Sequence, residues 1–310
     1  MKRILLTLAI FLVVFVAADR IFTFIFSKQI FSKTLSGESG GSLNYLLKKK
    51  KNIDFLILGS SRAKHQIDPA LLTNVYKGNG YNAGINGVGT IVYNSVLLDI
   101  LIQNKVVPKM VILQTDKYQL THSESKAGTE VVPLYPFINQ SSLMENYISF
   151  QERCKLLIQA YRYNGKFLNV VFNYLKRNSV KDNTGYVDLR EHMDSLSVRK
   201  IAPKPASRLV LSQDRMKALQ SIVELCKKHD IKLVVVFPPV YNNAGYDEKG
   251  NEQLYAAMRG EGVPNILNFS DIHKLPMLEP ASMWKDADHL NYAGAAIFSK
   301  ALNESVASML

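Results

Sequence analysis

The chain has 310 residues, with 38 Lys and Arg against 26 Asp and Glu, a formal net charge of +12 and an apolar share of 47%. That composition excludes a disordered or low-complexity chain, and the length suits one large α/β domain or two smaller ones. Two cysteines, Cys154 and Cys226, exclude a disulfide framework and a cysteine-built zinc site.

The charge is uneven. Residues 1–52 carry +7, 53–150 are neutral, 151–205 carry +6 and 206–310 carry −1. The excess thus belongs to the N-terminus and to one internal stretch, where it invites a membrane surface, an acidic glycan or nucleic acid.

After Lys2 and Arg3, Ile4 to Ala18 is apolar except for Thr7, and apolar residues resume beyond Asp19-Arg20 as far as Phe26. Val16-Ala17-Ala18 fits the cleavage site of a signal peptide. As a signal anchor, Ile4 to Phe26 reaches roughly 34 Å, enough to cross the hydrocarbon core. The hydrophobicity that continues past Ala18 favours the anchor, a transmembrane helix over 1–27. Both readings export the rest of the chain, since the basic pair keeps the N-terminus cytoplasmic. The expected location is therefore the cytoplasmic membrane, single-pass, with the folded part on the periplasmic or extracellular side. Nucleic acid is then disfavoured as a partner. Residues 28–52 read as a tether, with the linker-like Ser36 to Ser42 and the run Lys48 to Lys51.

The domain over 53–310 starts with an apolar strand, Ile53 to Leu58, that breaks into Gly59-Ser60-Ser61-Arg62. Asp68-Pro69 opens a helix, 80–82 form a short strand, and the glycine-rich Ala83 to Gly89 leads into a helix from Thr90 to Asn104. Val111 to Leu113 is a third strand. Residues 119–205 break this rhythm as a mostly helical insertion, with His122 to Thr129 a polar loop inside it. In the insertion, Tyr161 to Phe167 and Phe172 to Arg177 interleave aromatic and basic residues. This is the pattern of an amphipathic helix with its aromatics packed inward, or of a surface that docks on membrane, acidic glycan or a membrane-bound partner. A helix from Gln213 to His229, which buries Cys226 as a core thiol, leads to the strand Lys232 to Phe237, ended by Pro238-Pro239. A helix at 252–258, a strand at 265–268 and a final helix at 293–309 complete the chain. Strands alternating with helices predict a mainly parallel sheet with helices on both faces.

Chemistry in such sheets gathers at the carboxyl ends of the strands. Three segments should meet there: Gly59-Ser60-Ser61-Arg62, Asn82 to Gly87, and Trp284 to Asn291 with its Asp286-x-x-His289. A serine at the start of a helical turn, and a histidine oriented by a carboxylate three residues upstream, have the parts of a nucleophile and general base. The three-residue offset favours Asp286 over Asp288 as the orienting carboxylate. Arg62 and His65 are placed to meet an anionic substrate group. No histidine pair has metal-ligand spacing, and no metal is expected.

These motifs resemble those of the SGNH/GDSL hydrolase superfamily over roughly 53–118 and 210–310. The family's Gly-Asp-Ser block is matched by Gly59-Ser60-Ser61, its Asn-x-Gly-x-x-Gly by Asn82, Gly84 and Gly87, and its Asp-x-x-His by Asp286 and His289. The Gly-Ser-Ser variant, the N-terminal apolar segment and His-Leu-Asn-x-x-Gly-Ala look most like the exported, membrane-anchored branch with DltD-like and alginate O-acetylation-like members. The resemblance implies a three-layer, flavodoxin-like α/β/α fold. It also implies a triad of Ser61, His289 and Asp286, an oxyanion hole from the N–H groups of Ser61 and Gly87, and no cofactor. The implied activity is acyl-ester hydrolysis or O-acyl transfer on a cell-envelope or exported glycan, alone or beside a membrane-bound O-acyltransferase. The rival expectation is a non-catalytic partner or glycan-binding subunit. One departure stands out: the family's third block supplies an oxyanion asparagine, and here the strand ends Leu113-Gln114-Thr115-Asp116. Loss of one such donor costs about 3 kcal/mol of transition-state stabilisation, with Gln114 or Asn86 as the substitutes at hand.

Overall fold

The protein was analysed as a computed structural model, which describes residues 1–87, 91–121, 127–176, 184–194, 198, 209–241 and 248–310. Five parallel strands form one sheet: β1 (Phe55–Leu58), β2 (Gly80–Asn82), β3 (Met110–Gln114), β4 (Lys232–Phe237) and β5 (Ile266–Asn268). Their order is β2-β1-β3-β4-β5. The chain runs outward from β1 to β2 and then returns to the other side of β1 as β3. The crevice therefore opens between the carboxyl ends of β1 and β3, where a doubly wound sheet reverses direction.

The central strands are apolar over most of their length because both faces are covered. Leu56, Leu58, Val111, Leu113, Val235 and Phe237 face one core, with the helices Ile91–Gln103, Gln213–Lys228 and Glu248–Gly260. Phe55, Ile57, Ile112, Val234 and Val236 face the other, with the helix Ser61–Gln66 and the final helix Tyr292–Ala307. Cys226 lies in the first core, where burial pushes its thiol up to about 12.

Two expectations change. The helix expected after Asp68 is a single 3-10 turn, Pro69–Leu71, capped by the Asp68 side chain. The helix that matters begins eight residues earlier, at Ser61, with Ser60 as its cap. The second change concerns 28–52, which is packed structure and no free tether. Phe31 lies 5.3 Å from Phe137 and 5.2 Å from Tyr163, ring to ring, and Leu46 is fully buried. The Asn44 amide donates to the carbonyls of Phe31 (2.7 Å) and Thr34 (3.2 Å). Linker composition misled because the glycines at 37 and 40 sit at positive φ in tight turns against the insertion.

The N-terminal helix runs unbroken from Lys2 to Gln29, past Ala18, and is long and apolar enough to cross a membrane. The insertion is a series of short helices, among them Phe150–Leu156 and Phe167–Leu175. Residues 122–126 of the expected polar loop, Thr90 and Arg177 lie outside the described residues.

A buried ion pair ties the insertion to the first core. Glu130 and Arg215, 4% exposed at each side chain, meet at 2.7 Å. Removing one partner of such a pair strands a charge without water. Glu130→Ala is therefore expected to lose about 3–5 kcal/mol of stability in denaturant unfolding; a loss under about 1 kcal/mol would show that the insertion is not cooperatively built into the domain.

Candidate active site

Strand β1 ends in Gly59, whose φ of +150° favours glycine. A Cβ there would stand 2.6 Å from Gln114 Oε1 and 2.7 Å from Ala63 Cβ. The chain can therefore turn tightly from the strand into the helix Ser61–Gln66. The Ser60 hydroxyl caps that helix by accepting from the Arg62 N–H at 3.2 Å. Gln114, at the end of the neighbouring β3, locks the turn: its Oε1 accepts from both the N–H and the hydroxyl of Ser60, each at 2.9 Å. Ser61 is left at the first helical position, where a backbone N–H has no intrahelical acceptor.

The structure brings Ser61 and His289 together across 228 residues, with Oγ to Nε2 at 2.8 Å. On the other side of the ring, Nδ1 donates to Asp286 Oδ1 (2.9 Å) and Oδ2 (3.1 Å). The same carboxylate accepts from the N–H groups of Asp288 (2.9 Å) and His289 (2.8 Å), so it shapes the loop as well as orienting the ring. Burial pushes the Asp286 carboxyl up, but the hydrogen bonds from His289 and the loop N–H groups outweigh it, and the group stays ionised below its ordinary range. Asp288 has no such place. It is exposed, and its carbonyl accepts from the Gln66 amide at 2.7 Å.

The histidine loop is itself anchored at both ends. Trp284 is fully buried and pairs with Leu290 in an antiparallel bridge. Asn291 caps the final helix through the N–H groups of Ala293 (3.1 Å) and Gly294 (3.2 Å). An asparagine standing directly before an amphipathic run is a cap signal in the sequence itself, and it marks where the loop must end.

Beside Ser61 and His289 opens a cavity of about 360 Å³, lined among others by Arg62, Asp116, Tyr118, Phe237, Asn251 and Ser270. Of Arg62, His65, Asn86 and Gln114, the candidates for contact with substrate or oxyanion, Arg62 alone lines it. Its guanidinium is already committed to the carbonyls of Pro238 (3.1 Å) and Pro239 (2.8 Å) and to Asp116 at 3.4 Å, joining the ends of β1, β3 and β4. Gln114 is fully buried behind Ser60. Gly87 and Asn86 are exposed and are not among the residues that line this cavity. Asn82 is structural: its amide holds the carbonyls of Ala63 and Ile67, each at 2.7 Å, under the nucleophile helix.

A segment that sequence reading gave no role, 184–194, crosses both halves of the site. Thr184 O accepts from Asn82 N–H (2.8 Å), Val187 N–H donates to Lys64 O (3.2 Å), Leu189 O accepts from Tyr292 N–H (2.8 Å), and Met193 N–H donates to Trp284 O (2.8 Å). Gly185 has φ +80°, and a Cβ there would meet Asn82 O at 1.9 Å. Only this glycine in the sequence hinted at the close approach. Val187 O also accepts from His65 Nδ1 at 2.7 Å, which leaves Nε2 of the neutral ring an acceptor towards Asn86, 2.9 Å away. The Asn86 amide, whose two ends interchange by a flip, therefore presents its NH₂. Burial holds the His65 ring below the ordinary value of 6.5, against the opposing pull of its bond to Val187 O.

No family model matches the chain, and no curated protein matches it.

His65 gives the site a pH signature. Unfolding frees a ring that takes up a proton more readily than the buried one, so its contribution is present above 6.5 and is lost as pH falls through the lower folded value. His65→Gln is expected to flatten the drop in melting temperature between about pH 7 and pH 5; an unchanged slope would remove His65 as its source.

Proposed function

We propose that this is a membrane-anchored, extracytoplasmic serine enzyme of SGNH type that hydrolyses or transfers acyl groups on a cell-envelope or exported polysaccharide. The observation that carries the reading is the hydrogen-bonded chain Ser61 to His289 to Asp286 at the reversal point of a parallel sheet, open to a cavity. The sheet order and the two covered faces are those of a flavodoxin-like three-layer fold.

Nδ1–H is held by Asp286, so Nε2 presents its lone pair to the Ser61 hydroxyl. As Oγ bonds to the acyl carbon, its proton passes to Nε2. The tetrahedral oxyanion faces the Ser61 N–H at the positive end of the nucleophile helix. Collapse breaks the bond to the glycan oxygen, which takes the proton back from Nε2 and leaves an acyl-Ser61 ester. Water or a second hydroxyl then attacks that ester by the same route in reverse, so hydrolysis and transfer differ only in the acceptor. No cofactor enters these steps. The cavity suits a small acyl group on a polar carrier: Phe237, Pro238 and Val240 supply apolar surface, while Asn251, Ser270 and the exposed Tyr118 supply polar and stacking groups for a sugar.

A second reading rests on the oxyanion side. Gln114 turns its Oε1 to Ser60, and neither it nor Gly87 is among the residues that line the cavity. A non-catalytic glycan-binding partner of a membrane-bound O-acyltransferase would look like this.

A fluorophosphonate probe separates the two. The enzyme reading expects labelling of the full-length protein that disappears in Ser61→Ala and His289→Ala and slows about 10²–10⁴-fold in Asp286→Asn. No labelling of the wild-type protein, together with no acetate released from model esters, would leave the partner reading standing.

A further inference from the structure

The N-terminal helix and the insertion meet at a level that bilayer thickness makes informative. With Lys2 and Arg3 at one interface, about 20 residues are needed to cross a hydrocarbon core of about 30 Å, so the span ends near Thr23. The insertion grips the helix before that point. Asp19 accepts from the N–H groups of Gln159 (2.8 Å) and Ala160 (2.9 Å), and Arg20 donates to Leu157 O at 3.1 Å. Phe167 packs on Phe22 at 6.2 Å and on Phe26 at 4.8 Å. The gripping residues must then lie within the boundary layer of the bilayer.

Their exposed surface has the matching chemistry. Leu157 is 70% exposed, and Leu168, Phe172 and Leu175 are 65%, 59% and 67% exposed. The last three stand four and three residues apart on the helix Phe167–Leu175, forming one outward stripe, while Val170 on the other side is fully buried. In water such a stripe is unfavourable, but beside a membrane span it continues the span's own apolar surface. The Asp19 carboxylate, whose side chain is 6% exposed, is satisfied by protein N–H groups, as a charge at that depth requires. Lys28, one to two helical turns beyond Thr23 at the level where lipid phosphates lie, lines a cleft beside the helix together with Arg162. Lys166 is not part of this surface, since its ammonium turns inward to Val132 O.

We propose that the segment 157–175 is embedded in the bilayer interface on the side of the folded domain, with Leu157, Leu168, Phe172 and Leu175 among the acyl chains. The helix and insertion would then form a rigid collar that fixes how the cavity faces the membrane. This rests on the helix crossing a bilayer and is independent of the chemistry assigned to Ser61.

The test uses the full-length protein in lipid-only nanodiscs of phosphatidylcholine and phosphatidylglycerol. The background is Cys154→Ser, with Cys226 buried. Single cysteines Leu168→Cys and Phe172→Cys carry a nitrobenzoxadiazole dye, with Phe11→Cys in the span and Lys300→Cys on the far helix as references. Nitroxide-bearing acyl chains are expected to quench positions 168 and 172 about five-fold more than position 300, approaching position 11. Quenching at 168 and 172 no greater than at 300, while position 11 is quenched, would overturn the proposal and point to a protein partner on the stripe. Fluorophosphonate labelling in the same discs reports separately on Ser61, so the two readings fail independently.

Discussion

Ser61 and His289 lie 228 residues apart, and what holds them 2.8 Å from each other is the packing of the final helix on the nucleophile helix. Ala63 and Ile67 share a core with Ala295, Phe298 and Leu302, an apolar contact with no directional preference of its own. Direction comes from a polar seam through it. Ser299 Oγ donates to Gln66 O (3.2 Å) and accepts from Asp68 N–H (2.9 Å), while the Gln66 amide reaches over to Asp288 O. Inside a dry core such groups are costly to leave unpaired, so the register in which these bonds form is favoured over its neighbours. The serine and the histidine are carried into contact by that register.

The insertion strengthens the same arrangement from outside. It departs after β3, grips the N-terminal helix, and returns as the segment 184–194 across both the nucleophile helix and the histidine loop. Glu38 adds a link from the N-terminal side, accepting from Lys64 Nζ and from Asn86 N–H. The N-terminal helix, the insertion and the site are therefore linked by continuous contacts.

Much of the fold was legible in the residues. Leu56 to Leu58 and Val234 to Phe237 are apolar without alternation because both faces of a parallel sheet are buried, and each strand was found within two residues of its bounds. The site was legible as three short motifs, whose side chains the fold brings to one crevice in the case of Ser61, Asp286 and His289. Gln114 is bonded to Ser60, and His65 to Val187 O with Asn86 beside it, contacts that residue type alone did not announce, because a residue type reports what a side chain can bond and the fold decides what it meets. Asn82 and Gln66 illustrate the same limit: both cap or staple elements that are distant in sequence.

By itself the sequence determined the parallel α/β class, the apolar N-terminal helix, and the serine and Asp-x-x-His motifs at strand ends. These follow from local periodicity and from turn residues whose backbone demands are fixed within a few positions. Tertiary structure alone decided that 28–52 is packed and that 184–194 binds the two halves of the site. It also decided that the insertion meets the N-terminal helix at the level of Asp19. Each of these depends on contacts between segments far apart in the chain, where the winning partner is set by shape and by the satisfaction of buried polar groups, neither of which leaves a local pattern.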